Sequence, residues 1–496
     1  MNTATPILGA YRPAMHYACK DTWLNDPNGL VFHDGIYHLY YQNNPFGNVH
    51  SNMSWGHATS TDLVNWDEQP VAIPCDETEE IFSGSIVVDH YNTAGFGASG
   101  TSPLVAVYTS AYKAGSAHEG TQAQSIAWST DGGYTWTKYA GNPVLTRNSP
   151  EFRDPKVFRY DGPAGTYWVM AAVEAHDYAV LLYRSDDLKN WEYLSTFGPA
   201  NGTGGIWECP DLFELPVNGD AGNTRWVLTV NMSPGGPNGG SAGQYFVGDF
   251  DGVTFTSETT VTDGMQDPER VVDYQWLDWG RDYYAAVSFS NVPGGRRLMI
   301  GWMNNWQYAN HIPTSPWRSP MSLVREVSLA SIDGEPRLVQ QPVPACTEGS
   351  VSGPTQRLSL NGSVKVDGGR AVQLIEATFT PGTASEFGLV IRGSGNGSGT
   401  RISIRPGSGQ LMVDRTNSGD TGFHEAFPSI STAPLLADDG TYSLRIFVDH
   451  CSVEVFAQGG LATLTELIFP DPLHTGITVF SNGGTAEASL QLTDLA

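Results

Sequence analysis

A short turn followed by an aromatic residue recurs through the first half of the chain and limits the folds open to it. Ser60-Thr-Asp-Leu-Val-Asn-Trp66, Ser129-Thr-Asp-Gly-Gly-Tyr-Thr-Trp136 and Ser185-Asp-Asp-Leu-Lys-Asn-Trp191 share Ser-x-Asp, a turn and a Trp. Gly248-Asp-Phe-Asp-Gly-Val-Thr-Phe255 is a weaker copy. Each follows a short β-rich run, and the aromatic residues lie about 55 to 70 positions apart. That spacing suits a four-stranded unit with one signature turn, the pattern of propeller blades. The Asp side chain can hold the backbone of its own turn, and the aromatic ring can pack between neighbouring blades. These repeats are therefore read as structural. A fifth unit is expected from Asp282–Ser290 through Arg297–Trp302.

The texture changes near the middle of the chain. Pro336, Pro342, Pro344 and Pro354 fall close together and predict a connector over residues 336–354. Short alternating runs such as Val372–Phe379, Tyr442–Val448 and Ser452–Phe456 follow, separated by turn signals, and predict a β-sandwich over 355–496. Gly393–Gly399 reads as a mobile hairpin tip. No helix follows it, so it is not a phosphate loop. The predicted fold is all-β: a five-bladed β-propeller over residues 1–335, then the connector and a C-terminal β-sandwich.

Composition narrows the ligand. A net charge of −26, with 26 basic residues spread along 496 positions, argues against nucleic acid and against an anionic substrate. With 14 Trp and 21 Tyr, aromatic-lined grooves for a neutral polar molecule fit better. The five cysteines, Cys19, Cys75, Cys209, Cys346 and Cys451, are an odd number with no zinc-site spacing, so mostly buried thiols and no metal are expected. No segment approaches the length of a membrane span. Residues 1–12 lack a charged start and apolar core, so no signal peptide is expected within this chain; a secreted protein is the expectation, with a cytoplasmic location left open.

Three acidic motifs stand where blades begin, and inner strands of a propeller line a central tunnel. Asp26 lies in Trp23-Leu-Asn-Asp-Pro-Asn-Gly29, Asp154 in Phe152-Arg-Asp-Pro155, and Glu208 in Trp207-Glu-Cys-Pro210. Locally, Asp26-Pro27-Asn28-Gly29 reads as a tight turn that presents the Asp side chain. Carboxylates gathered in an aromatic pocket suit glycoside hydrolysis, in which one attacks the anomeric carbon and another, protonated, gives its proton to the leaving oxygen. A carboxyl beside two ionised ones keeps its proton, because like charges oppose a further ionisation.

In order and blade position these three motifs resemble the signatures of glycoside hydrolase family 32, the family of invertases, exo-inulinases and levanases. Tyr41-Gln42, Ser54-Trp-Gly-His57, Phe82-Ser-Gly-Ser85, Asn305-Trp306 and, in the second domain, Arg445–Asp449 and Ser452–Phe456 extend the resemblance over nearly the whole chain. The resemblance implies a retaining exo-acting β-fructofuranosidase that takes fructan (levan or inulin) or sucrose. Asp26 is then the nucleophile, Glu208 the acid/base and Asp154 the transition-state stabiliser, with Arg153 beside it. Asn25, Gln42 and Ser83 match positions that hydrogen-bond the fructosyl unit, and Trp55 and Trp306 would wall the pocket. This chemistry needs no metal or organic cofactor.

Two details bear on the substrate. Endo-acting inulinases of the family tend to carry Glu-Pro where this chain has Asp26-Pro27, which favours attack on chain ends. His50 stands where family members usually place a Trp at the pocket rim, which leaves β-2,1 and β-2,6 linkages, a disaccharide product and fructosyl transfer open. A non-catalytic fructan-binding protein could dispense with any one carboxylate, whereas all three are present. A sialidase, suggested by the turn repeat, needs clustered arginines, and these are sparse here.

Overall fold

The computed structural model describes residues 9–163, 165–394 and 397–495. The first eight residues of the expected leaderless start, and Gly395 and Asn396 of the expected hairpin tip, lie outside them. Five antiparallel sheets, I to V, follow one another along the chain. Their first strands span Trp23–His33, Glu79–Val88, Phe152–Gly162, Ile206–Val217 and Tyr284–Ser288. In each sheet the second, third and fourth strands are added outward in chain order, and in sheet II a short fifth strand, Leu145–Ser149, pairs back on the third. Main-chain bonds close the ring: Phe32 N–H donates to Ser290 O at 3.0 Å, Ser290 N–H to Leu30 O at 2.9 Å, and Leu24 N–H to Arg318 O at 3.1 Å. The fold is a five-bladed propeller followed by a sandwich of two six-stranded sheets.

The signature turns join the third and fourth strands of sheets I to IV. Asp62 accepts from Val64 and Asn65 N–H, Asp131 from Tyr134 and Thr135, Asp187 from Lys189 and Asn190, and Asp251 from Val253 and Thr254. One carboxylate thereby satisfies two amides that the strands leave unpaired. Trp136 meets Tyr40 of sheet I edge-on at 5.8 Å, and Phe255 meets Phe197 of sheet III at 5.2 Å.

Sheet V departs from the repeat. Its third strand, Arg325–Ile332, turns through Asp333-Gly334, both at positive φ, into a fourth strand, Glu335–Pro342. Residues 336–342, expected to belong to a connector, are thus the outer strand of the last blade. Pro336 and Pro342 are tolerated there because an outermost strand leaves backbone positions unpaired.

Buried ion pairs join propeller and sandwich. Arg325 reaches Asp278 at 2.9 Å and Glu454 at 2.6 Å, and Arg415 pairs with Asp282 and Glu466. His16 sits between Asp449 and Glu454 at 2.7 and 3.0 Å. Burial alone would lower its pKa, but the two carboxylates prevail and raise it to about 9. All five cysteines are free thiols, and only Cys75 is not buried.

Glycine 29 shows how tightly the first blade is packed. Its φ is +53°, and a Cβ there would lie 2.7 Å from Ile86 Cδ1 and 2.8 Å from Trp55 Cζ3. Gly29→Ala is expected to destabilise the protein by about 2–4 kcal/mol, from left-handed backbone strain plus overpacking. Thermal unfolding checks this, and an unchanged midpoint would contradict the packing described.

Candidate active site

Each inner strand slips its register against its neighbour near its beginning. The slips fall between Leu24 and Pro27, Ile81 and Gly84, Arg153 and Lys156, Glu208 and Asp211, and Tyr284 and Val287. A bulge of this kind leaves a residue out of the ladder and re-aims its side chain. Proline, with no N–H to donate, fits such a position: Pro155 and Pro210 occupy two of them, and Pro27 directly follows the skipped Asn25 and Asp26. The expected turn at Asp26–Gly29 is therefore corrected: the segment is a bulged strand, and the hairpin turn comes later at Asp34-Gly35. Asp154 and Cys209 have φ values of +62° and +45°, a costly conformation for residues with a Cβ. Asp154 N–H donates to Thr109 Oγ1 and Cys209 N–H to Asp154 Oδ2, both at 2.9 Å, which pins the two bulges.

The bulges bring Asp26, Asp154 and Glu208 together at one end of the funnel. The Cys209 thiol lies 3.6 Å from Asp26 Oδ2 and 3.7 Å from Asp154 Oδ2, bridging the two. Arg153 bridges the other pair, with Nη2 3.2 Å from Glu208 Oε1 and Nε 3.9 Å from Asp154 Oδ2. Asp26 accepts from Asn25 Nδ2 at 2.9 Å and Ser83 Oγ at 2.8 Å, so both of its oxygens are oriented. Glu208 accepts from Tyr284 OH at 2.5 Å and keeps 19% of its side chain exposed, against 5% for Asp154. Asp154 forms the base of the pocket and Glu208 its open side.

The remaining expected residues separate into rim and support. Trp306 stacks on Trp23 at 6.1 Å, and exposed His50 points its ring edge-on to Trp306 at 5.1 Å. Trp23 Nε1 donates to Asn25 Oδ1 at 2.7 Å, which links this wall to the Asp26 carboxylate. Gln42 stands one layer back, its amide donating to Asn28 Oδ1 and Ile81 O, while Asn28 donates to the Asp26 carbonyl. Trp55, expected to wall the pocket, is instead wholly buried between sheets I and II among Tyr40, Ile86 and Tyr108. The missing side chain at Gly29 makes room for its ring, and its N–H is used on Phe82 O.

Two residues that the sequence did not single out complete the cluster. Cys209 supplies the bridging thiol. Burial, then the nearby carboxylates, push its pKa well above the ordinary thiol value, so it stays a neutral donor. Tyr284 is likewise held protonated by burial and by Glu208. It opens the first strand of the fifth blade, the position that supplies Asp26, Ser83, Asp154 and Glu208 in the other four, so blade order was the signal available.

Electrostatics follow from crowding. Burial first, then Glu208, raise the pKa of Asp26. For Asp154, burial raises, Arg153 opposes, and Glu208 and Asp26 add, to reach about 7. An unfolded chain ionises Asp154 near the ordinary value of about 4, so its folded-state shift costs stability that grows as pH rises from there to about 7. Asp154→Asn is expected to melt a few degrees above the parent at pH 8, with the gain shrinking toward pH 4. Melting curves at several pH values check the trend, and a gain that grows as pH falls would contradict the sign.

The description "Glycosyl hydrolases family 32 N-terminal domain" matches residues 16–342, and "Glycosyl hydrolases family 32 C terminal" matches 345–494. The chain belongs to glycoside hydrolase family 32. It is 45% identical over 494 residues to a levanase of Bacillus subtilis, covering 97% of this chain and 70% of that one. It is 43% identical over 510 residues to an extracellular exo-inulinase of Aspergillus ficuum, covering 96% and 93%. The crystal structure of exo-inulinase from Aspergillus awamori superposes with a TM-score of 0.92 at 41% identity, covering 98% of each chain. As a family 32 protein the chain is a glycoside hydrolase, and its bulged inner strands gather three carboxyl groups at one end of the funnel. No helix among the described residues is long and apolar enough to cross a membrane.

Proposed function

We propose that this glycoside hydrolase is a retaining, exo-acting β-fructofuranosidase that releases fructose from the ends of fructans and from sucrose. The observation that carries the reading is the double bridge: Cys209 between Asp26 and Asp154, and Arg153 between Asp154 and Glu208. A carboxylate oriented by Asn25 and Ser83 faces a second carboxyl held by Tyr284 and Arg153. In the first step an Asp26 oxygen attacks C2 of the terminal fructosyl unit, the C2–oxygen bond to the leaving group breaks, and Glu208 gives that oxygen its proton. In the second step Glu208 takes a proton from water, the water oxygen bonds to C2, and the ester to Asp26 breaks. Two inversions leave the configuration retained.

Asp154 and Arg153 serve the charge that moves between these states. Asp154, at the pocket base, is placed to accept hydrogen bonds from ring hydroxyls as positive charge develops at C2. Arg153 and Tyr284 donate to the two oxygens of Glu208 and hold the carboxyl in the orientation from which it meets the leaving oxygen and then water. Trp306 and His50 form the wall past which the leaving group departs, and the sugar's C–H faces fit such a surface. The levanase and exo-inulinase relatives support a fructan substrate, and Asp26-Pro27 supports attack on chain ends. The extracellular exo-inulinase supports secretion.

Chromatography of products from levan, inulin and sucrose tests the reading. Fructose is expected as the first product from both polymers. An initial disaccharide would indicate release of two units at a time, and longer new oligomers would indicate transfer; either result would overturn exo-hydrolysis of single units.

A further inference from the structure

A second pocket opens at the far end of the propeller tunnel. The inner strands start at the carboxylates and run away from them, so their later residues line the opposite mouth. A cavity of about 460 Å³ lies there, between Lys156–Arg159, Asp211–Glu214 and Arg297. A fully buried floor separates it from the carboxylates: Lys156 reaches Asp211 Oδ2 at 3.0 Å and Ser288 O at 2.5 Å, and Ser288 N–H donates to Asp211 Oδ2 at 2.7 Å.

Two guanidinium groups face this cavity without a counter-ion. Among the described residues no carboxylate lies within ion-pairing distance of Arg159 or Arg297. Arg297 Nη1 donates to the neutral Ser288 Oγ at 3.2 Å and the group lies over the Phe213 ring at 4.8 Å. Arg159 makes one long bond, from Nη2 to Thr166 O at 3.4 Å, and rests on the Trp168 ring at 4.9 Å. Its Nε and Nη1 are buried with no partner. Of the two acidic side chains in the lining, Asp211 is engaged through Oδ2 by Lys156 and Ser288 N–H while its Oδ1 is buried without a partner, and exposed Glu214 accepts from Thr224, so neither closes on the two guanidinium groups. Unpaired, partly buried cations are costly unless an anion meets them, and a planar guanidinium fork matches an oxoanion. In a chain of net charge −26, two such groups at one cavity stand against the general field.

We infer that the distal mouth is a binding site for a phosphate-type oxoanion, carried by a small sugar whose ring packs on the half-buried Trp226 wall. Arg159 and Arg297 hold the anion. The cavity is the size of sites that enclose a small molecule, and tryptophan faces suit sugar C–H groups. The site is independent of the reaction proposed for the other mouth.

Isothermal titration calorimetry with glucose 6-phosphate, inorganic phosphate and glucose tests the inference on the parent, Arg159→Gln and Arg297→Gln. One glucose 6-phosphate per chain is expected to bind the parent. Each substitution is expected to weaken it at least about tenfold, the scale of a lost charge-assisted hydrogen bond. Both variants should keep the parent's fructose release and melting temperature. Binding of inorganic phosphate alone, equally sensitive to both substitutions, also supports an oxoanion site and assigns it to the free ion. Absence of binding by either phosphate compound, binding of glucose alone, or binding that survives both substitutions would overturn it.

Discussion

Asp26→Ala is expected to lower fructose release by about four orders of magnitude or more, the scale of removing a nucleophile whose partners act as a unit. The loss should appear in kcat, since Asp154, Arg153 and the rim remain to bind substrate. Ser83, Asn25 and Cys209 lose a shared acceptor, yet each borders the pocket, where water can replace the carboxylate. The melting temperature should therefore change little. Because burial and Glu208 raise the pKa of Asp26, the parent's activity should fall on its acid limb at a pH above the ordinary carboxylate range. Substantial turnover in Asp26→Ala would remove this residue from the mechanism.

Glu208→Gln is expected to lower release from sucrose by about three orders of magnitude, within the range general acid–base catalysis supplies. The amide keeps the shape of the side chain and can still accept from Tyr284. It can neither deliver a proton nor take one from water. The size of the loss should depend on the leaving group. Fructosyl fluoride, whose fluoride departs without protonation, should enter the first step at a rate much closer to the parent's, then stall at the second. An equal loss for sucrose and fructosyl fluoride would contradict the acid/base role.

The propeller was legible because its corner turns need an Asp followed four or five residues later by an aromatic, with a Ser ahead of the Asp in three of them, and the Asp does the same local work in four blades. The fifth blade's outer strand was not, because Asp333-Gly334 makes a tight turn without the signature and prolines mark it as irregular. The three carboxylates were legible at blade starts, beside the prolines that bulges tolerate. What local reading missed was the bulge itself: Pro27, Asn28 and Gly29 supply the absent donor and the positive φ that a turn also uses. Only pairing across the sheet separates the two. Trp55 shows the same limit, since a buried and a pocket-lining tryptophan differ by what packs behind them, and that depends on Gly29, Ile86 and Tyr108. Tyr284 and Cys209 act through partners from other blades, which no local pattern records.

The proposed mechanism gives bond formation to Asp26 and proton transfer to Glu208, and trapping tests this most directly. Glu208→Gln is mixed with fructosyl fluoride, digested, and its peptides are weighed. A single fructosyl unit esterified to Asp26 is the expected result. An unmodified Asp26 peptide in a sample trapped while fluoride is being released, or a sugar attached elsewhere, would contradict it.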